Sequence, residues 1–299
     1  MKLRAMICRP VVATLAAVVL ALAGTSGLAA QTIRVNVACV APEKTPYGSA
    51  LLKVAAEWKK ISNGKVEMKV FFGDKLGDEE ALIQKMRTNS IQGAVLTTVG
   101  LSYIDKTLLT VSAPLLIQDD DQFGFVMERL MPEMVSRLQK AGFQQVAFSR
   151  AGWLHFFSKT PFTKPEQIKQ VKLGISSKSK ELYEAFKNMN FQVVNVDIAE
   201  TLANLLTGRA EAIFTAPLVA GAYNWVGSTR YMLDLPMSPF FGAMVINEKT
   251  WSRIPAEMHQ PLIDAATRIA GAELDGLLAK LTAEAIDLMQ KTEGGMILQ

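Results

Sequence analysis

Few residues in this chain have the type and spacing to do chemistry. It carries two histidines, His155 and His259, and two cysteines, Cys8 and Cys39. A usual zinc site gathers four closely spaced His, Cys or carboxylate ligands, and this scattered set does not supply them. His155 sits in the aromatic stretch "GWLHFFS" with no evident nucleophile beside it. His259 lies in "AEMHQPL", on a helix surface or end. Cys39 belongs to the alternating run "IRVNVACV" and reads as a small buried hydrophobe. The acidic run Asp119 to Asp121 lacks the spaced ligands and closing glutamate of a calcium loop; it reads as a solvated helix N-terminus. Asp197 and Glu200 have the spacing of a capping box, which accounts for both without a catalytic pair. No nucleophile elbow, dinucleotide fingerprint or P-loop follows residue 30. The expectation is a protein with no catalytic residues, no metal site and no cofactor.

What stands out is aromatic. Trp153, Phe156 and Phe157 fall within five residues. Phe214 lies in "AIFTAP", Tyr223 and Trp225 in "AYNW", and Phe240 and Phe241 are adjacent. Aromatic residues mostly fill cores, but in α/β sheets ligands bind beyond the carboxyl ends of strands. Thr97, Phe214 and Thr215, at strand ends, are therefore the better candidates for contact with a ligand.

These residues are positioned by a regular alternation. "TIRVNVACV" reads as a strand with Ile33, Val35, Val37 and Cys39 on one face. "PYGSALLKVAAEWKKISNG" reads as a helix burying Leu51, Val54 or Ala55, Trp58 and Ile61, stopped by Asn63-Gly64. Strand "KVEMKVFF", a helix capped by Asp78 and strand "IQGAVLTT" follow. A long helical segment disturbed by Pro132 leads to strand "FQQVAFS". The second half repeats the pattern from "WLHFFS" and "VKLGIS" onward, with a helix placing Leu182, Phe186 and Met189 inward. From Pro255 to Gln290 the pattern is helical almost throughout. Such alternation means α/β layering with mainly parallel sheets, here in two sets.

The chain has 299 residues, 49% of them hydrophobic, enough for two modest domains. Its first thirty residues read as a secretory signal: a basic start, the apolar run Val11 to Gly24, then small residues with cleavage near Ala29 or Ala30. Removing three basic residues lowers the formal charge from +4 to +1, so there is no global attraction for nucleic acid. Cys39 then stands alone and cannot form an internal disulfide.

Several stretches, in order behind that signal, carry a likeness. They are "APEKTPYGSALLKVAAEWKKISNGKVEMKVFFGDKLGDEEALIQKMRTNSIQGAV", "APLLIQDDDQ", "TPFTKPEQIKQVKLGI", "VVNVDIAETLANLLTGRAEAI" and "YMLDLPMSPFFGAMVINEKTWSRIPAEMHQPLIDAA". With them the chain resembles the periplasmic solute-binding subunits of tripartite ATP-independent (TRAP) transporters. The resemblance implies a two-lobed periplasmic binding protein fold, type II-like, with hinged lobes, crossing strands and a long C-terminal helix. It places lobe I at 31–151 plus 240–279 and lobe II at 152–239 plus 280–299. It implies capture of a small-molecule ligand without chemistry, and transfer to TRAP membrane permease subunits.

The resemblance also gives meaning to a glycine in a strand. Family members commonly carry an arginine on the strand matching "VKLGI", which grips a substrate carboxylate with its two-pronged donor face. Gly174 stands at that position. A second basic residue often found on the preceding strand matches Leu154, beside Trp153, and an acidic or amide residue matches Thr97 or Thr215. Ala38, Tyr47 and Phe241 from lobe I, with Ile198 and Trp225 from lobe II, complete the expected lining. A charged hydrogen bond contributes about 1.5–3 kcal/mol, whereas burying ~250 Å² of apolar ligand contributes about 6 kcal/mol before association costs. An oily slot can thus replace the arginine, and a hydrophobic or amphipathic solute is expected. Relatives lacking the arginine are associated with a periplasmic tetratricopeptide-repeat partner. The rival readings are a carboxylate receptor using Arg150 or Lys172, a periplasmic enzyme built on His155 or the Asp197/Glu200 pair, and a partner-binding protein whose closure signals to a membrane sensor or scaffold.

Overall fold

The computed structural model describes residues 32–292 and 294–299. The signal reading falls on 1–30 and so lies outside the described residues. From Ile33 onward the chain is one compact unit.

Elements alternate as the periodicity predicts. Strand β1 (Ile33–Cys39) leads to helix α1 (Pro46–Ile61), β2 (Val66–Phe72), α2 (Glu79–Arg87), β3 (Gly93–Thr97), the short α3 (Thr98–Ser102) and α4 (Asp120–Lys140). Then come β4 (Phe143–Ser158), β5 (Lys172–Ile175), α5 (Lys180–Asn188), β6 (Gln192–Asn195), α6 (Thr201–Thr207), β7 (Ala212–Thr215), α7 (Pro217–Ala222) and β8 (Tyr231–Met232). The chain closes with β9 (Ser238–Asn247), α8 (Glu248–Trp251), α9 (Ala256–Thr267), a π-helical turn Arg268–Glu273, α10 (Leu274–Lys291) and β10 (Ile297–Leu298).

The main strand order is β2-β1-β3-β9-β4-β7-β5-β6, with β8 on β4 and β10 on β8. It divides into two sheets. In the first, β1, β2 and β3 are parallel, and β9 runs antiparallel between β3 and β4. In the second, β5, β6 and β7 are parallel, and the end of β4 joins β7 antiparallel. Each sheet is covered on both faces, as parallel strands require. Alternation explains this: Val35 and Val37 enter one core of the first sheet while Ala38 enters the other. On β4, Phe156 and Phe157 do the same in the second sheet.

Strand β4 differs from expectation. "FQQVAFS" and "WLHFFS" are one continuous strand of 16 residues. Bulges between Gln145 and Ala147 and between Arg150 and Gly152 bend it, with Gly152 at φ +102°, so it leaves the first sheet and enters the second. It pairs with β9 up to Leu154 and with β7 from His155. Pro132 does not interrupt α4; it faces solvent, where water can satisfy the carbonyl that loses its partner. Met189 is exposed, because it falls at the end of α5. Asp197 makes no cap hydrogen bond; its carboxylate instead accepts from Ser176 and pairs with Lys178. The C-terminal helical run is continuous through its π turn. Gly271 is needed there, since a Cβ would sit 3.0 Å from the Phe148 carbonyl oxygen. The run thus lies against β4 near the strand's bend.

Candidate functional site

The carboxyl ends of the parallel strands in both sheets meet the region where β4 changes sheets. On the first sheet, Thr97 ends β3 and caps α3. Its hydroxyl donates to Glu79 Oε2 at 2.8 Å, and its backbone N–H donates to Glu79 Oε1. Gly100 permits the approach: a Cβ there would lie 2.6 Å from the Glu79 carboxylate. Burial pushes the Glu79 carboxyl above its usual range, against the lowering effect of the Thr97 and Gly100 hydrogen bonds. Glu79, at the start of α2, is thus tied to the end of β3.

Tyr47, in the first turn of α1, packs half-buried against the same core as Val95, Phe240 and, from the second half, Leu218. Burial, then the charge of Asp275, pushes its phenol up to about 12. Asp275 accepts hydrogen bonds from Ser149 Oγ (2.9 Å) and Arg150 N (2.8 Å), pinning α10 to the bend of β4. Cys39 is buried and its thiol is pushed up to about 11 by desolvation, so it is an inert packing group.

On the second sheet, Gly174 has no positive φ to accommodate. Its distinction is steric: a Cβ would touch Ala210 Cβ at 3.3 Å and Val196 Cβ at 3.4 Å. Phe214 stacks into an aromatic cluster, 5.1 Å from both Phe156 and Phe186. Thr215 is half-buried opposite His155. Leu154 is half-buried opposite Ser238, at the last pairing of β4 with β9.

The remaining expected residues are placed differently. Ala38, Trp225 and Phe241 are 2%, 4% and 1% exposed. Neighbouring apolar side chains enclose them: Ala38 and Phe241 in a first-sheet core, Trp225 in a second-sheet core. They support the region without lining it. Ile198 is 56% exposed, on the short turn before α6. Trp153 packs edge-on against Phe123 and donates its indole N–H to Asp120 Oδ1 at 2.9 Å.

Two further contacts join the rims of the halves, and sequence patterning gave no sign of them. The Tyr103 hydroxyl, just past α3, donates to the Lys178 carbonyl beyond β5. Three residues on in each segment, Lys106 Nζ pairs with Glu181 of α5 at 3.0 Å. The match of spacing makes a two-point clasp.

Residues 37–299 match the family model DctP, bacterial extracellular solute-binding protein, family 7. The chain belongs to that family. A protein of Haemophilus influenzae is 21% identical over 266 residues, covering 84% of this chain and 79% of its own length. A TRAP periplasmic solute-binding protein from Desulfovibrio salexigens, solved with orotic acid, aligns with TM-score 0.79 and 17% identity over 89% of this chain and 86% of that one. One from Pseudomonas aeruginosa, solved with L-malate, gives 0.78 and 16% over 89% and 92%. One from Xanthobacter autotrophicus, solved with β-D-galacturonate, gives 0.77 and 18% over 88% of each. The fold is thus the two-lobed one of these periplasmic binding proteins.

In this solute-binding protein Arg150, close to the crossover, is already engaged. Arg150 Nη1 pairs with Asp120 Oδ1 at 2.8 Å, and its guanidinium lies 5.9 Å from the Phe123 ring. Asp120 thereby holds both Arg150 and Trp153. Lys172 is exposed at the far end of β5, away from the strand's carboxyl end. Among the described residues, no group of three His, Cys, Asp or Glu side chains is placed to hold a metal, and no helix is long and apolar enough to cross a membrane.

Proposed function

We propose that this solute-binding protein captures a small, uncharged, apolar or amphipathic molecule between its two halves and hands it to a TRAP permease. The observation that carries the reading is the pairing of Gly174 and Leu154 with an Arg150 already bound to Asp120. Where the resemblance implies a guanidinium for a carboxylate, this chain offers a glycine and an aliphatic side chain. The half-buried groups around the crossover, among them Tyr47, Leu154 and Phe214, are mostly apolar. In this reading the lobes are 31–151 with 240–279 and 152–239 with 280–299. An exported, periplasmic life and a tetratricopeptide-repeat partner belong to the same reading.

The structural neighbours favour a second reading, since those named above were solved with carboxylates. In it, Arg150 would leave Asp120 and take the solute's carboxylate. Native mass spectrometry of protein purified from a periplasmic extract, followed by calorimetry with L-malate and D-glucuronate, separates the two. The first expects an uncharged compound to co-purify and neither acid to bind. Tight binding of either acid, abolished in Arg150→Gln, would establish the second.

A further inference from the structure

His155 has a place that neither solute capture nor core packing explains. It is the first β4 residue to pair with the second sheet, and it stands opposite Thr215, the last residue of β7. Residues paired in this way point to the same face of a sheet. One row back on that face lie Phe157, Ile213, Gly174 and Val194. At Gly174 that face is closed by Ala210 and Val196, 3.3 and 3.4 Å from where a Cβ would stand; His155 and Thr215 stand one row further, at the strand end.

The imidazole is 7% exposed, and Nδ1 lies 3.0 Å from the Leu233 carbonyl oxygen. A carbonyl only accepts, so Nδ1 carries the proton and Nε2 presents a bare lone pair. The hydrogen bonds of the described residues give Nε2 no partner. Yet no side-chain nitrogen or oxygen among those residues is both sealed from solvent and unpartnered. Nε2 is therefore not sealed from solvent. The Thr215 hydroxyl, also without a protein partner, is not sealed either. Burial holds the imidazole below its usual pKa, against the raising effects of the Leu233 hydrogen bond and the Asp234 charge, which favours the neutral ring.

We propose that His155 Nε2 and Thr215 Oγ1 form a polar subsite that accepts a hydrogen bond from a hydroxyl or amide N–H on an otherwise apolar solute. The subsite rests on the uncharged-solute reading above and gives it a chemical handle. A neutral imidazole with its lone pair outward repels a carboxylate, which also brings only acceptors. A buried acceptor left unpaired discriminates strongly against analogues that lack the donor. The subsite thus selects among oily molecules by one polar group.

The test uses the full chain and matched probes: cyclohexanemethanol, cyclohexanecarboxamide, the methyl ether of the alcohol, and cyclohexanecarboxylate. Binding is read by calorimetry and thermal shift on wild type, His155→Phe, His155→Gln and Thr215→Val, with circular dichroism as the fold check. The alcohol or amide should bind wild type at least about tenfold more tightly than the ether. That advantage should vanish in His155→Phe, shrink in Thr215→Val and return in part in His155→Gln, whose amide oxygen accepts. Equal binding of alcohol, amide and ether in all four proteins overturns the subsite but leaves the uncharged-solute reading standing. Binding confined to the carboxylate overturns both. Failure of alcohol and amide alike to bind wild type overturns the subsite. Nitrogen NMR gives a separate readout: the His155 Nε2 resonance should move to a hydrogen-bonded position when the alcohol is added.

Discussion

The rim clasp makes a quantitative claim about the resting protein. Tyr103 and Lys106 belong to the first half, Lys178 and Glu181 to the second, so opening breaks both contacts. The Lys106 side chain is 78% exposed and that of Glu181 27%, so the ion pair is a surface pair and contributes about 0.2–1 kcal/mol. The Tyr103 hydrogen bond contributes about 0.5–1.5 kcal/mol. Together they shift the balance between closed and open forms by roughly 1–2 kcal/mol, a factor of about 5–30 in population. The perturbation is the double variant Tyr103→Phe with Lys106→Gln, which leaves the core untouched. Cysteines introduced at the exposed positions Gln84 on α2 and Glu184 on α5 carry spin labels. Cys39, buried and with its thiol pushed up to about 11, stays unlabelled at neutral pH. Pulsed electron spin resonance then reads the distance between the halves without any added solute. Wild type should show a dominant short distance, and the variant a large long-distance fraction. The ionic part should fade near 1 M salt, where screening acts over about 3 Å. Identical distance distributions in wild type and variant, at low and high salt, would refute the clasp.

Three other outcomes follow from the site. Gly100→Ala drives a methyl group into the Glu79 carboxylate, 2.6 Å from its Cβ position, and should destabilise by about 1–3 kcal/mol in urea melts. Because burial raises the folded Glu79 carboxyl, the folded state holds a proton that the unfolded chain has released. Its contribution to stability is therefore lost as pH rises from the unfolded value through the raised one. Glu79→Gln should flatten that part of the stability–pH curve relative to wild type; an unchanged slope would rule it out. Gly174→Arg restores the cation implied by the family likeness, with Ala210 and Val196 giving way by a few tenths of an ångström. It should create measurable binding of L-malate by calorimetry at a modest loss of melting temperature.

Period and punctuation made most of the architecture legible. Alternation marked β1 and β2, helical spacing marked α1 and α5, and Asp78 was rightly read as a cap, accepting from Ala81 N at 3.1 Å. The single β4 was not legible, because Gly152 looks like a strand end and becomes a bend only when a second sheet receives the chain. Helical punctuation also misled at Asp197, whose partners Ser176 and Lys178 lie some twenty residues away. Strand-end reasoning pointed to Thr97, Phe214 and Thr215, and these residues do stand at the ends of β3 and β7. It missed Glu79, Asp275 and the clasp, whose roles arise from pairs distant in sequence. Trp225 is 4% exposed within a second-sheet core, although its ring also stacks 5.1 Å from the exposed Tyr223.

The backbone passes between the halves in three places: along β4, through the segment 233–237 into β9, and by the helical run that ends with β10 on β8. A door hung at three points can swing but cannot slide. Each swing must therefore return the same rim residues to the same opposite numbers. A membrane protein that touches both rims at once would find its composite docking face assembled only when the door is shut.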